Sequence, residues 1–139
     1  MLMHTIVPKW RQFSDSKPKR ILVVDDDAVL REIAKPILSG LGYEVLLMAD
    51  GLHEDRFFAK LKVDAAIVDF GLPHISGLEI IQKIRASENG RKIPIFVISG
   101  SADAHEVRAC YEDGNVSLVL SKPVDWSLLI GELKAAIGA

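Results

Sequence analysis

Two hydrophobic patterns alternate along the chain. Short apolar runs, ILVV at 21–24, EVLLM at 44–48, AAIVD at 65–69, IFVIS at 95–99 and SLVLS at 117–121, read as strands. Four of these five are close to continuously apolar, as suits parallel strands covered on both faces. The intervening stretches place apolar residues at helical spacing instead. Val29, Leu30, Ile33, Ile37 and Leu38 form the first such set, and Leu52, Phe57, Phe58 and Leu61 the second. Leu78, Ile80, Ile81 and Ile84 follow, then Val107, Cys110 and Tyr111, then Leu128, Leu129, Leu133 and Ile137. Gly42, Gly90 and Gly114 sit where helices should end, and Pro94 just before a strand. Pro36 falls inside the first helical set, where it removes a backbone hydrogen bond; the apolar spacing continues past it, which predicts one bent helix. With short connections and right-handed crossovers, this alternation predicts an α/β fold. It is a (βα)5 doubly wound five-stranded parallel sheet, order 2-1-3-4-5, with helices on both faces.

Composition bounds the domain count. The 139 residues are 49% hydrophobic and 26% charged, which describes one ordinary folded domain with a real core. The lone Cys110 excludes an internal disulfide. No apolar run approaches the length of about 18 residues that spans a bilayer. The first residues, MLMHTIVPKWRQF, lack the order of a signal peptide, so a cytoplasmic location is expected.

Charge separates the N-terminus from the rest. Residues 1–20 hold five basic side chains and one acid, which leaves twelve bases against eighteen acids for residues 21–139. An acidic body argues against direct nucleic-acid binding, which depends on neutralising phosphates. Residues 1–19 are expected to form a flexible extension ending in the polar stretch SDSKPK, and residues 20–139 the domain. A second reading gives the extension a short helix from Pro8 onward. Ile6, Trp10 and Phe13 fall at i, i+4 and i+7, ready to dock on the body or on a partner.

In open α/β sheets ligands bind beyond the carboxyl ends of the strands. Here the first strand is followed by Asp25, Asp26 and Asp27, the third ends in Asp69, the fourth ends in Ser99, and the fifth is followed by Lys122 and Pro123. Carboxylates converging at one edge repel each other and are driven toward protonation unless a cation is present. All-oxygen ligation suits Mg²⁺, and no His or Cys cluster argues for zinc. An ionised Asp beside Mg²⁺, faced by an ammonium and a hydroxyl, is suited to attack phosphorus and form an acyl phosphate.

ILVVDDD, IVDFGLPHISG, FVISG and LSKP, in that order and at (βα)5 spacing, resemble the signature blocks of a two-component response regulator receiver domain. The likeness spans about residues 20–138 and is to chemotaxis-regulator-like chains of flavodoxin-like fold. It implies that Asp69 accepts a phosphoryl group from a phosphohistidine on a sensor histidine kinase or a histidine phosphotransfer protein. It further implies that Asp26 and Asp69 bind Mg²⁺ directly, that Asp25 acts through water, that the Gly71 carbonyl is a further ligand, and that Ser99 and Lys122 hold the phosphoryl oxygens. The bond between Lys122 and Pro123 is expected to be cis. Such a domain is a signalling phosphoacceptor rather than an enzyme. It acts on a downstream protein target as a monomer or a phosphorylation-linked dimer, and stands alone, shuttles in a phosphorelay or is excised from a longer protein. Val119 stands where the family often has an aromatic residue, which leaves the loop after Ser99 or the helix from about Asp103 as routes for output. Gly71 and Ser101 occupy positions that in the family tune the lifetime of the acyl phosphate.

Plainer roles are weighed beside these. Asp27 reads as the N-cap of the first helix. Pro73 and Gly77 read as loop formers around Asp69, with Gly77 opening the next helix. His4, His53, His74 and His105 are scattered on polar stretches and read as solvated, Cys110 as a small core residue, and Trp126 as packing or a partner contact. Residues 25–30, DDDAVL, also fit the D-x-D-x-[TV]-L pattern of haloacid-dehalogenase-like phosphohydrolases, with Asp25 as nucleophile; that reading leaves Asp69 without a role. A pseudo-receiver, folded but used only for docking, is the third alternative.

Overall fold

The computed structural model describes residues 17–100 and 116–138, together with His105 and Arg108. Five parallel strands form one sheet: β1 (Arg20–Val24), β2 (Glu44–Met48), β3 (Ala65–Asp69), β4 (Ile95–Ser99) and β5 (Leu118–Ser121), in the order β2-β1-β3-β4-β5. The helices are α1 (Ala28–Gly40), α2 (Asp55–Ala59), α3 (Gly77–Ala86) and α4 (Trp126–Ile137). The expected helix through Val107, Cys110 and Tyr111 falls largely outside the described residues, as do Ser101, Gly114 and the N-terminal segment.

Alternate residues of the inner strands feed two separate cores. Leu22, Val24, Ala66, Val68, Ile95 and Val97 point to one face and pack with Phe58 of α2 and with Ile80, Ile81 and Ile84 of α3. Ile21, Val23, Ala65, Ile67, Phe96 and Ile98 point to the other and pack with Leu30, Ala34 and Leu38 of α1 and with Leu129 and Leu133 of α4. This two-sided burial is why the strands read as unbroken apolar runs.

α1 runs through Pro36 as one helix, as expected. Two details depart from the sequence reading. α2 is a single short segment, so Leu52 lies in the preceding loop at 40% exposure while Leu61 is buried just beyond the helix. The other concerns α1, which turns Leu30, Ala34 and Leu38 inward and leaves Val29 and Ile33, expected in the apolar set, 61% and 43% exposed. Gly42 ends α1 as anticipated, at φ +95 where a side chain is disfavoured.

Register aligns the functional edge. Val24 pairs with Val68, which brings the next residues, Asp25 and Asp69, side by side at the point where strand order reverses between β1 and β3. Ser99 pairs with Ser121, so Lys122 emerges beside the end of β4.

Candidate functional site

The acidic cluster is held mainly by backbone. Asp25, 1% exposed, donates its N–H to Met48 O at 3.0 Å, and its Oδ1 accepts from Asp27 N at 2.8 Å. Its carbonyl oxygen accepts from Arg31 Nη1 at 2.7 Å, so α1 braces the loop it follows. Asp69, 4% exposed, accepts from Gly71 N at 3.0 Å through Oδ1. Asp26 is exposed at the mouth. One oxygen from each of Asp25, Asp26 and Asp69 lies within 4.8 Å of the others.

Lys122 is the counter-charge. Its Nζ donates to Asp69 Oδ2 at 3.1 Å and stands 3.3 Å from Asp25 Oδ2. The latter oxygen is buried and accepts no hydrogen bond, so the ammonium offers it charge rather than a directed bond. Burial pushes the Asp25 carboxyl above its ordinary 3.8; the Asp27 N–H opposes this, the Asp69 carboxylate adds to it, and Lys122 offsets part. Burial acts to lower the Lys122 pKa, but the hydrogen bond to Asp69 and the two carboxylate charges outweigh it and hold the ammonium above its ordinary 10.5. Lys122 N donates to Ser99 O at 3.1 Å, and the Lys122–Pro123 bond is cis, as the resemblance implied.

Not every candidate meets at the centre. The Ser99 side chain is buried at the end of β4, and its hydroxyl donates to Gly100 O at 2.8 Å. Asp27 Oδ1 accepts from Val29 N at 2.9 Å as the N-cap of α1, which is the plainer role foreseen for it. The phosphohydrolase reading needs Asp27 for acid-base work, and that side chain is committed to the helix. His53, His74 and His105 are exposed, Val119 packs on the core beside β4, and Trp126 opens α4 against the second core.

Two contributors were missed or understated. Arg31 lies one turn into α1, and nothing in its spacing separates it from a solvated arginine. Gly77 opens α3 as expected, and beyond that role a Cβ there would sit 2.5 Å from Phe70 Cα and 2.8 Å from Asp69 O. Its N–H donates to Phe70 O at 3.1 Å, so α3 begins in contact with the backbone that carries Asp69.

Residues 21–134 match the response regulator receiver domain. The chain belongs to that family. This receiver domain is 33% identical over 123 residues to the chemotaxis protein CheY1 of Helicobacter pylori, covering 86% of this chain and 97% of CheY1. It is 33% identical over 120 residues to the response regulator MprA of a Mycobacterium species, covering 86% of this chain and spanning about half, 51%, of MprA. Among solved structures it resembles the receiver domain of the sensor histidine kinase PA1611 from Pseudomonas aeruginosa, with 33% identity and a TM-score of 0.74. That match covers 88% of this chain and 99% of the other, whose active-site cleft holds a coordinated magnesium ion. Family membership makes the domain a signalling phosphoacceptor type rather than an enzyme, and the phosphohydrolase alternative is set aside with it. Among the described residues no helix is long and apolar enough to cross a membrane.

Proposed function

We propose that this receiver domain takes a phosphoryl group from a phosphohistidine onto Asp69, with Mg²⁺ held by Asp26, Asp69 and the Gly71 carbonyl and by Asp25 through water. The observation that carries the reading is the closeness of three carboxylates, within 4.8 Å, under a single ammonium. Three ionised carboxylates against one Lys leave two negative charges, which a dication cancels. The donor set is all oxygen, and buried Asp25 Oδ2, with no hydrogen bond of its own, is open to an ion or to the water it carries. Bound there, Mg²⁺ supplies neutralisation of phosphoryl oxygens.

The protein's own groups do the rest. An Asp69 carboxylate oxygen bonds to phosphorus as the phosphorus–nitrogen bond of the donor histidine breaks, and the electron pair leaves on the imidazole nitrogen. Lys122, freed from Asp69 Oδ2 as that group is modified, follows the charge onto a phosphoryl oxygen. The Ser99 hydroxyl donates to another after leaving Gly100 O, and its loop passes the change to the surface near residues 103–130. The donor is a sensor histidine kinase or a histidine phosphotransfer protein, and the readout is affinity for a downstream protein. The setting is the cytoplasm. The switching domain is residues 20–139, with 1–19 as its extension, and it acts as a monomer or a phosphorylation-linked dimer.

Intact mass after incubation with acetyl phosphate tests this. A single hydroxylamine-labile phosphoryl adduct that requires Mg²⁺, is blocked by chelator and is missing in Asp69→Asn is the expected result. No adduct on the wild type overturns it and leaves a docking-only pseudo-receiver.

A further inference from the structure

We propose that the cleft at the starting edge of the sheet, opposite the phosphoacceptor, binds a phosphate monoester through Lys17, Lys19 and Lys62. The cleft, of about 580 Å³, is walled by the segments that lead into β1, β3 and β4 and includes Arg20, Asp64 and Asn89. β1 separates it from the acidic cluster. Arg20 opens the strand and Asp25 follows its end, about 16 Å away at the rise of a parallel strand.

Charge selects the ligand. Segments 17–20, 60–64 and 88–93 hold seven bases and two acids, which leaves ten bases against seventeen acids elsewhere in the chain. The acids within reach are already engaged. Asp64 Oδ2 accepts from Arg20 N at 2.7 Å, and Glu44 Oε2 lies 3.2 Å from Arg20 Nε. Lys17, Lys19 and Lys62 are exposed and form no ion pair among the described residues. Together with Arg20 they set four cations against Asp64 and Glu44, which leaves two positive charges. A phosphate monoester carries roughly 1.5–2 negative charges at pH 7 and cancels them.

The walls are fixed before any ligand arrives. Arg20 Nη1 donates to Lys62 O at 3.1 Å, Asn89 Nδ2 to Leu61 O at 3.1 Å, and Arg85 Nη1 to Gly90 O at 2.9 Å and Ile93 O at 2.7 Å. These bonds tie the three segments together, so holding an anion orders only the lysine side chains. Pro18, Val63 and Ile93 supply an apolar wall for the organic part of the ester.

Amide NMR of the full chain, titrated with phenyl phosphate in EDTA so that the acidic edge holds no Mg²⁺, tests the site without reference to phosphorylation. Saturable shifts are expected at Lys19, Lys62 and Asn89 and not at Asp25 or Asp69. Lys19→Gln combined with Lys62→Gln should weaken binding severalfold while circular dichroism stays native, since both side chains are exposed. Lys35→Gln combined with Arg56→Gln removes the same charge outside the cleft and should leave affinity unchanged. Cosedimentation with phosphatidylcholine vesicles containing one fifth phosphatidic acid separates the sources of the monoester. Lysine-dependent binding to the vesicles assigns a lipid headgroup, and phenyl phosphate binding without it assigns a soluble ester. The proposal is overturned if neither probe binds, if binding survives the paired lysine change, or if the control pair weakens it as much.

Discussion

Lys122 Nζ donates to Asp69 Oδ2 at 3.1 Å although β4 lies between the strands that lead to these two residues. The reach is set by the main chain. Lys122 N donates to Ser99 O, which fixes the residue at the end of β4 and lets its side chain cross to the carboxylates of β1 and β3. One ammonium therefore serves two buried acids, and both depend on it.

Lys122→Met should destabilise the metal-free protein at pH 7 by about 1–3 kcal/mol, below the range for fully buried pairs because the lysine is one third exposed. Mg²⁺ should restore more of that loss than it adds to the wild type, since it supplies the missing charge. Urea denaturation in EDTA and in Mg²⁺ measures both terms; equal Mg²⁺ increments in the two proteins would speak against shared neutralisation.

The three consecutive aspartates should separate cleanly. Asp27→Ala removes the α1 cap and should cost about 1 kcal/mol with Mg²⁺ affinity retained, because its carboxylate is engaged with Val29 N. Asp25→Asn should do the reverse, leaving the chain at least as stable without metal and abolishing the stabilisation by Mg²⁺, which for the wild type amounts to roughly 2.7 kcal/mol at a hundred times Kd and raises its Tm accordingly. Thermal melts across a Mg²⁺ titration distinguish the pair, and loss of Mg²⁺ response in Asp27→Ala would contradict the assignment.

Much of this arrangement was legible in the chain. β2, β3 and β4 have the limits their apolar runs suggest; β3 and β4 are buried at every position, whereas β2, at the sheet edge, is only partly buried and is marked by its apolar run alone. The strand ends then carry Asp25, Asp69, Ser99 and Lys122 to one edge with no further information. Helical faces were harder to read. On α1 the column Val29, Ile33, Ile37 is more apolar by eye than Leu30, Ala34, Leu38, yet the second faces the sheet. Small Ala34 fits a close helix–sheet contact that a periodicity count undervalues. The orientation of the Ser99 hydroxyl and the grip of Arg31 on Asp25 O were not legible, since both depend on backbone carbonyl directions.

Gly77→Ala should cost about 1–3 kcal/mol, because its Cβ would meet backbone atoms of Asp69 and Phe70 that cannot rotate away. The strain falls on the segment that positions the phosphoacceptor, so Mg²⁺ affinity should weaken together with stability. Gly40→Ala, whose Cβ meets nothing within 4 Å, is the control and should leave affinity unchanged. Urea midpoints and Mg²⁺ titrations of the two variants decide; an unaltered affinity in Gly77→Ala would mean that α3 can shift without carrying Asp69.

Tyr43 ties the far end of the fold together, its hydroxyl donating to Gly138 O at 2.5 Å just beyond α4. Tyr43→Phe should destabilise by about 1 kcal/mol near neutral pH, the net worth of a hydrogen bond whose loss leaves the carbonyl to water. Burial raises the Tyr43 pKa above its ordinary 10.0, so the folded state holds the phenolic proton more tightly than the unfolded chain. The contribution of Tyr43 is therefore complete below pH 10 and declines as the pH rises through 10 toward the raised value, where the unfolded state has already released its proton. Urea denaturation of wild type and Tyr43→Phe at pH 8 and near pH 11 should show the gap between them narrowing at the higher pH; a gap that widens there would reverse the sign and place the phenolate, not the phenol, in the folded state.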